Sequence, residues 1–397
     1  MTTDTLCVVP WVHLNIEPNG KVLPCCLISS HDYFAGDLKT HSIKEIWNSD
    51  NMKKLRTDMI AGERPKVCSS CFNKEDALGK SNRQYRNKDY PDVLKNIPNL
   101  TEVDGTCPSM QLKFWDFRFS NICNFKCRMC GPKLSSAWVS DAATLGWETE
   151  QEKISTTEIN FDFLKEQLDY VEEIYFAGGE PMLMDEHWQI LDMLVEHKKF
   201  NVKLRYNTNC STLKYGKKDI IDYWSKWEPK KIQVVASIDE IGDRAKLIRS
   251  GTVWKKVESN LKKLSNIDFI FFSIGITVGV LNVNRLPNII TYLTDLGVIK
   301  NNNFYISLIE YPTHYNVSVL PNEIKKTISD NLISFANTYD TTYSTDVTLK
   351  MQQLLVELTK SSNPKDLEVF IKKTKSLDKL RNENTWQTIP ELTNIIK

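Results

Sequence analysis

Three cysteines set the tightest constraint on this chain: Cys123, Cys127 and Cys130, in the run Cys-Asn-Phe-Lys-Cys-Arg-Met-Cys. The spacing is C-x3-C-x2-C. Thiolates this close can hold three irons of a [4Fe–4S] cube and leave the fourth iron without a protein ligand. A closed structural metal site wants a fourth cysteine or histidine nearby, and none follows within easy reach. The spacing therefore points to a cluster with one open position for an outside molecule. A structural zinc knuckle is the bland alternative for the same residues.

The other cysteines need the rest of the composition to be read. The chain has 397 residues, 25% charged and 41% hydrophobic, with a net charge of +1. That is an ordinary globular balance, long enough for two or three domains. Near-neutral charge gives no bulk attraction to nucleic acid. No apolar h-region follows Met1, so no secretory signal is expected. The longest apolar run, 269–281, is too short for a membrane span. Ten cysteines in such a chain argue against a disulfide framework. They gather as Cys7, Cys25, Cys26, Cys68 and Cys71 and as the central trio, with Cys107 and Cys210 apart. Thiols grouped this way in a reducing, cytoplasmic compartment read as metal ligands.

The N-terminal part opens with Val12, Leu14 and Ile16 alternating with polar residues, the mark of a half-buried strand. Pro18-Asn19-Gly20 then signals the turn of a β-hairpin. Ile43, Ile46 and Trp47 define one helix after Ser42. Met52, Leu55 and Met59 define another, stopped by Gly62 and Pro65. Residues 76–109 are polar and mixed in charge. They read as a solvated connector, with the basic stretch 80–88 as a possible substrate-contacting arm. From 110 onward strand patterns at 111–119, 172–176, 202–206, 232–237, 269–277 and 304–309 alternate with helical ones. Such alternation implies a parallel sheet with right-handed crossovers, and six units make an open or partial barrel. Ligand sites in such sheets lie at the C-terminal strand ends, where the cysteine trio falls. The remainder is helical, with Asn363-Pro364 as an N-cap followed by a first-turn proline. The expected fold is α/β, divided as a small hairpin-and-helix domain (1–75), connector (76–109), partial (β/α)6 barrel (110–312) and helical extension (313–397).

These residues make the chain resemble the radical S-adenosylmethionine (SAM) superfamily. Cys123, Cys127 and Cys130 match its cluster motif in spacing and in place. Gly178-Gly179-Glu180-Pro181 resembles its GGEP motif, which receives the SAM amino group. The resemblance assigns Asn209 to the ribose, Ser237 and Asp239 to a Ser-hydrophobe-Asp pattern, and Arg249 to the SAM carboxylate. It implies that the open iron chelates SAM's methionine end. One electron then yields a 5′-deoxyadenosyl radical that abstracts hydrogen from substrate. Two positions depart from the pattern. Met129 stands where an aromatic is usual, and Cys210 follows Asn209 where glycine is usual, which leaves the turn there open.

The N-terminal part resembles the SPASM/Twitch auxiliary-cluster module, through Cys7, Gly20-x4-Cys25, Glu45-Ile-Trp-Asn-Ser49 and Cys68-x2-Cys71. This implies a second [4Fe–4S] cluster on Cys7, Cys25, Cys68 and Cys71. Cys26 is the alternative to Cys25, and a four-cysteine zinc site the alternative to the cluster. The function implied is hydrogen abstraction from a peptide or protein side chain, or from a small metabolite, sugar or nucleotide. A non-enzymatic zinc-binding protein ranks below both. A one-electron donor of the flavodoxin or ferredoxin kind is implied as partner.

Overall fold

The computed structural model describes residues 4–28, 33–147, 160–300, 302–343 and 345–395. The chain forms two compact units, Met1–Asn121 with Ile154–Arg205, and Ile122–Lys153 with Tyr206–Lys397.

In the first unit the strand Phe114–Phe117 runs parallel to Glu173–Phe176, with Phe114 opposite Glu173. On its other side it runs parallel to His13–Ile16, with His13 opposite Phe114. His13–Ile16 forms the expected hairpin with Lys21–Leu23, turned at Gly20 with φ +88°, a conformation glycine adopts without steric cost. The hairpin is thus an extension of the parallel sheet. This explains a difference from the half-buried strand expected. All four residues of His13–Ile16 are buried, the usual state of strands inside a parallel sheet. His13 stacks on Phe114 at 4.3 Å between ring centroids, and its Nδ1 donates to the Phe114 carbonyl at 3.0 Å.

The helices Ile43–Trp47 and Asp50–Ile60 form where expected, each N-capped by serine, Ser42 and Ser49. The stretch read as a connector differs. It contains the helices Asn82–Asp89 and Pro91–Leu100. Arg83 and Arg86, three residues apart, are both buried. Arg83 makes a fork to Glu75 at 2.9 and 2.5 Å, and Arg86 pairs with Glu173 at 3.0 Å. These charge-assisted bonds offset desolvation, so polarity did not mean solvation.

In the second unit Ile232–Ser237, Ile270–Val278 and Phe304–Leu308 are successive parallel neighbours. Helices Trp254–Leu264 and Leu286–Asp295 connect them. Lys203–Thr208 spans the boundary between the units. Ile232–Ser237 alternates buried and half-buried residues, one face in a core and the other open. The helices Asn322–Tyr343, Val347–Leu358 and Pro364–Arg381 make up the helical C-terminal part, the last capped by the Asn363 side chain.

Candidate cluster and cofactor sites

The cysteine trio lies in the second unit on a loop fastened from several directions. Lys126 and Cys127 pair antiparallel with Ser250 and Arg249. The Trp138 indole donates to the Cys127 carbonyl at 2.7 Å, and the Ser135 hydroxyl to the Phe125 carbonyl at 2.6 Å. Gly251 has φ +106°, and a Cβ there would stand 2.6 Å from the Asn124 carbonyl oxygen. Only glycine lets that backbone come so near. Burial pushes the Cys130 thiol up to about 12, with Cys127 beside it adding to the effect. Burial also raises the Cys127 thiol, against the pull of Arg249.

Arg249 and Asp239 come together beside this loop. The Asp239 carboxylate is buried; one oxygen accepts from Arg249 Nη1 at 2.7 Å and the other from the Thr277 amide at 2.8 Å. Asp239 therefore fixes the guanidinium against the end of the Ile270–Val278 strand. Burial opposes the Arg249 charge, but Cys127 and Asp239 more than offset it. The Arg249 Nε is buried and has no hydrogen-bond partner among the described residues. Ser237 ends its strand half-buried. Asn209 donates to the Asn124 side chain at 3.0 Å and accepts from the Ser211 amide at 2.9 Å, tying its turn to the cysteine loop. Cys210 takes φ +56°. A cysteine thus occupies the left-handed backbone that glycine adopts without steric cost.

Sequence reading missed a second set of residues around this loop. Arg128, wholly buried between Cys127 and Cys130, donates to Asp378 and Glu383, both at 2.5 Å. Arg381 donates to the Lys126 carbonyl at 3.0 Å and to Asp141 at 2.8 Å. Partners 240 residues or more apart in sequence leave no local signal.

The Gly178-Gly179-Glu180-Pro181 run belongs to the first unit, directly after Glu173–Phe176. Gly178 has φ +113°, and a Cβ there would stand 3.3 Å from the Ser120 carbonyl oxygen. Glu180 is wholly buried, and its carboxylate accepts from the Met182 amide at 3.4 Å as the N-cap of Pro181–Leu183.

Also in the first unit, Cys7, Cys25, Cys68 and Cys71 line one pocket with about 420 Å³ of empty space, part of it open to solvent. Cys26 does not line it; it is placed instead among the charges of Asp116 and Arg118. Burial pushes Cys7 and Cys68 up to about 12. Arg83 lines the same pocket and is the one residue there that the connector reading had set apart from it. Among the described residues no three His, Cys, Asp or Glu side chains gather as tightly as ligands of a single metal ion. The four thiols instead line the walls of that pocket.

Two family models match. The iron-sulfur cluster-binding domain SPASM matches residues 7–72, and the radical SAM superfamily matches residues 117–293. A GTP 3′,8-cyclase from Campylobacter lari is 31% identical over 99 residues, covering 25% of this chain and 27% of that protein. A GTP 3′,8-cyclase from Aliarcobacter butzleri is 26% identical over 147 residues, covering 36% of this chain and 40% of that protein. The match thus spans less than half the length of either relative. Among solved structures, SuiB from Streptococcus suis bound to S-adenosylmethionine is 16% identical with a TM-score of 0.38, covering 73% of this chain and 63% of that one.

Proposed function

This chain belongs to the radical SAM superfamily and carries an N-terminal SPASM iron–sulfur domain, and from that premise we propose that it is an enzyme cleaving SAM reductively to take a hydrogen atom from a peptide or protein side chain. When bound, the reduced cluster and SAM supply the electron and the 5′-deoxyadenosyl radical, leaving placement and exclusion of water to the protein. Cys123, Cys127 and Cys130 are the cluster ligands. Arg249 offers its guanidinium to the SAM carboxylate, a pairing its planar fork suits, and Asp239 holds it in place. Gly178 and Gly179 allow close backbone approach, Glu180 supplies a carboxylate for the SAM ammonium, and Pro181 starts the turn that Glu180 caps. Asn209 and Ser237 serve the nucleoside end.

The observation that carries this reading is the Arg249 Nε. It is a buried donor with no partner among the described residues, beside three thiols with no disulfide among them. Buried polar groups are almost always satisfied, so this one calls for an anionic ligand. In the auxiliary pocket Cys7, Cys25, Cys68 and Cys71 hold a second [4Fe–4S] cluster, with the nearby Arg83 charge offsetting that of the thiolates.

A peptide is favoured by the open sheet face of the second unit, where Phe271 and Tyr305 on adjoining strands are 50% and 57% exposed. An extended chain can lie on such a face; a small molecule wants enclosure. The GTP 3′,8-cyclase relatives favour a second reading, a nucleotide substrate. A flavodoxin- or ferredoxin-like donor in the cytoplasm completes the proposal; among the described residues no helix is long and apolar enough to cross a membrane.

The test is anaerobic. Reconstituted, dithionite-reduced protein incubated with SAM should release 5′-deoxyadenosine, and a Cys123→Ala, Cys127→Ala, Cys130→Ala variant should not. A fully loaded protein that makes none overturns the proposal.

A further inference from the structure

We propose that Asp116, with Arg118 and Tyr175, forms a recognition site for a neutral carboxamide side chain of the substrate. This deepens the peptide reading above and rests on it. All three residues belong to the first unit. Asn15 and Asp116 are register partners on parallel strands, and Tyr175 directly follows the Trp115–Ile174 pair. Register partners on adjacent strands share a face, so Asn15, Asp116 and Tyr175 form one polar row. Leu14, Trp115 and Ile174 make the opposite face apolar and buried.

Asp116 is wholly buried, and neither carboxylate oxygen has a hydrogen-bond partner among the described residues. The Arg118 Nε is buried and unpartnered in the same sense. It stands 3.6 Å from Asp116 Oδ1, beyond the length of a hydrogen bond, where a closed charge-assisted pair would measure about 2.8 Å. The two groups stand side by side as an ion pair too long for a hydrogen bond. The half-buried Tyr175 hydroxyl lies among the charges of Asp116, Arg118, Cys26 and Arg205.

Arg118 brings this row to the Gly178 loop. Its Cβ lies 3.4 Å from where a Cβ on Gly178 would stand. Its charge, with that of Asp116, acts on Cys26, the neighbour of pocket-lining Cys25. A group held by Asp116 and Arg118 therefore lies near the Gly178 loop. The charges select its chemistry. A cation meets Arg118 and Arg205, and an anion meets Asp116 and Glu173. A primary carboxamide, whose N–H and C=O can point the same way, gives its N–H to the carboxylate and receives the guanidinium N–H at its carbonyl.

The probe is N-acetylasparagine methylamide, its binding to the cluster-loaded full chain followed by ligand-observed NMR, with acetate and methylguanidinium as comparators. The amide is expected to bind better than either ion. Asp116→Leu and Arg118→Met should each weaken it at least tenfold. Asp116→Asn keeps the shape and decides should the leucine variant not fold: it should weaken binding at least threefold and melt no lower than the wild type. Unchanged amide affinity in the Asp116 variants, preference for either ion, or a lower melting temperature of Asp116→Asn (the sign of a structural ion pair) overturns the proposal. The measurement needs no SAM cleavage. A failure to make 5′-deoxyadenosine therefore strikes the enzyme reading alone, and the amide site is judged on its own data.

Discussion

Arg249 is the side chain on which the cofactor argument turns, because its burial and its unspent donor demand different things. Its pairing with Asp239 accounts for its charge; the vacant Nε accounts for nothing in the folded chain. Arg249→Lys keeps the charge but loses the fork. SAM affinity, measured by calorimetry on the loaded protein, should fall about tenfold, or about 1.4 kcal/mol, with iron content unchanged. Arg249→Met leaves Asp239 buried and uncompensated and should cost about 3–5 kcal/mol of stability by denaturant unfolding. The neighbouring thiols Cys25 and Cys26 make a second contrast at this scale. Only Cys25 lines the auxiliary pocket; Cys26 lies in the turn that the Ile28 amide closes on the Cys25 carbonyl at 3.2 Å. Cys25→Ala should therefore lower anaerobic iron from about eight to about four per chain, while Cys26→Ala should leave about eight, the number two cubes hold. Equal loss in both variants would mean the pocket does not choose between them.

At the scale of elements, the loop from Cys123 to Cys130 is only as well placed as the segments it rests on. Gly251 is the most exacting of these. Its backbone is left-handed, and an added Cβ meets the Asn124 oxygen at 2.6 Å and the Phe125 ring at 3.1 Å. Gly251→Ala should cost about 1–3 kcal/mol through strain, and should change the electron paramagnetic resonance signal of the SAM-binding cluster while leaving the auxiliary signal in place. This glycine was not singled out from sequence, and the reason is general. Alternation and cysteine spacing are local signals, so the strands at Glu173–Phe176, Ile232–Ser237 and Phe304–Leu308 were legible within one or two residues. So were both cysteine groups. Pairing between distant segments leaves no such trace. The parallel ladder of His13–Ile16 with Phe114–Phe117 joins residues about a hundred apart, and Arg128 meets Asp378 across 250 positions. Arg83 and Arg86 misled for a related reason. A charge reads as solvated unless its partner is known, and Glu173 lies 87 residues from Arg86.

For the whole molecule, two buried histidines make stability depend on pH. Burial lowers His13 to about 3 and His314 to about 4; the first belongs to one unit and the second to the other. In the unfolded chain both titrate near 6.5. Below that pH the unfolded state takes protons that the folded state refuses. The histidines' contribution is therefore complete above about 6.5 and is lost progressively as pH falls toward 4 and 3, at up to about 1.4 kcal/mol per pH unit for each. Carboxylates held low by arginines, such as Glu173 and Asp141, lose their contribution only below about 4.5. Above about 5 the two histidines lower stability as pH falls, while the Asp116 and Glu240 carboxyls, pushed up by burial, act in the opposite direction. Urea unfolding should show stability falling by about 2–4 kcal/mol between pH 7.5 and 5.0. His13→Phe keeps a ring against Phe114 but cannot take a proton, and its decline over the same interval should be shallower by about half. Identical declines in the two proteins would show that His13 accepts a proton while folded, and the parallel pairing that buries it would then have to open in acid.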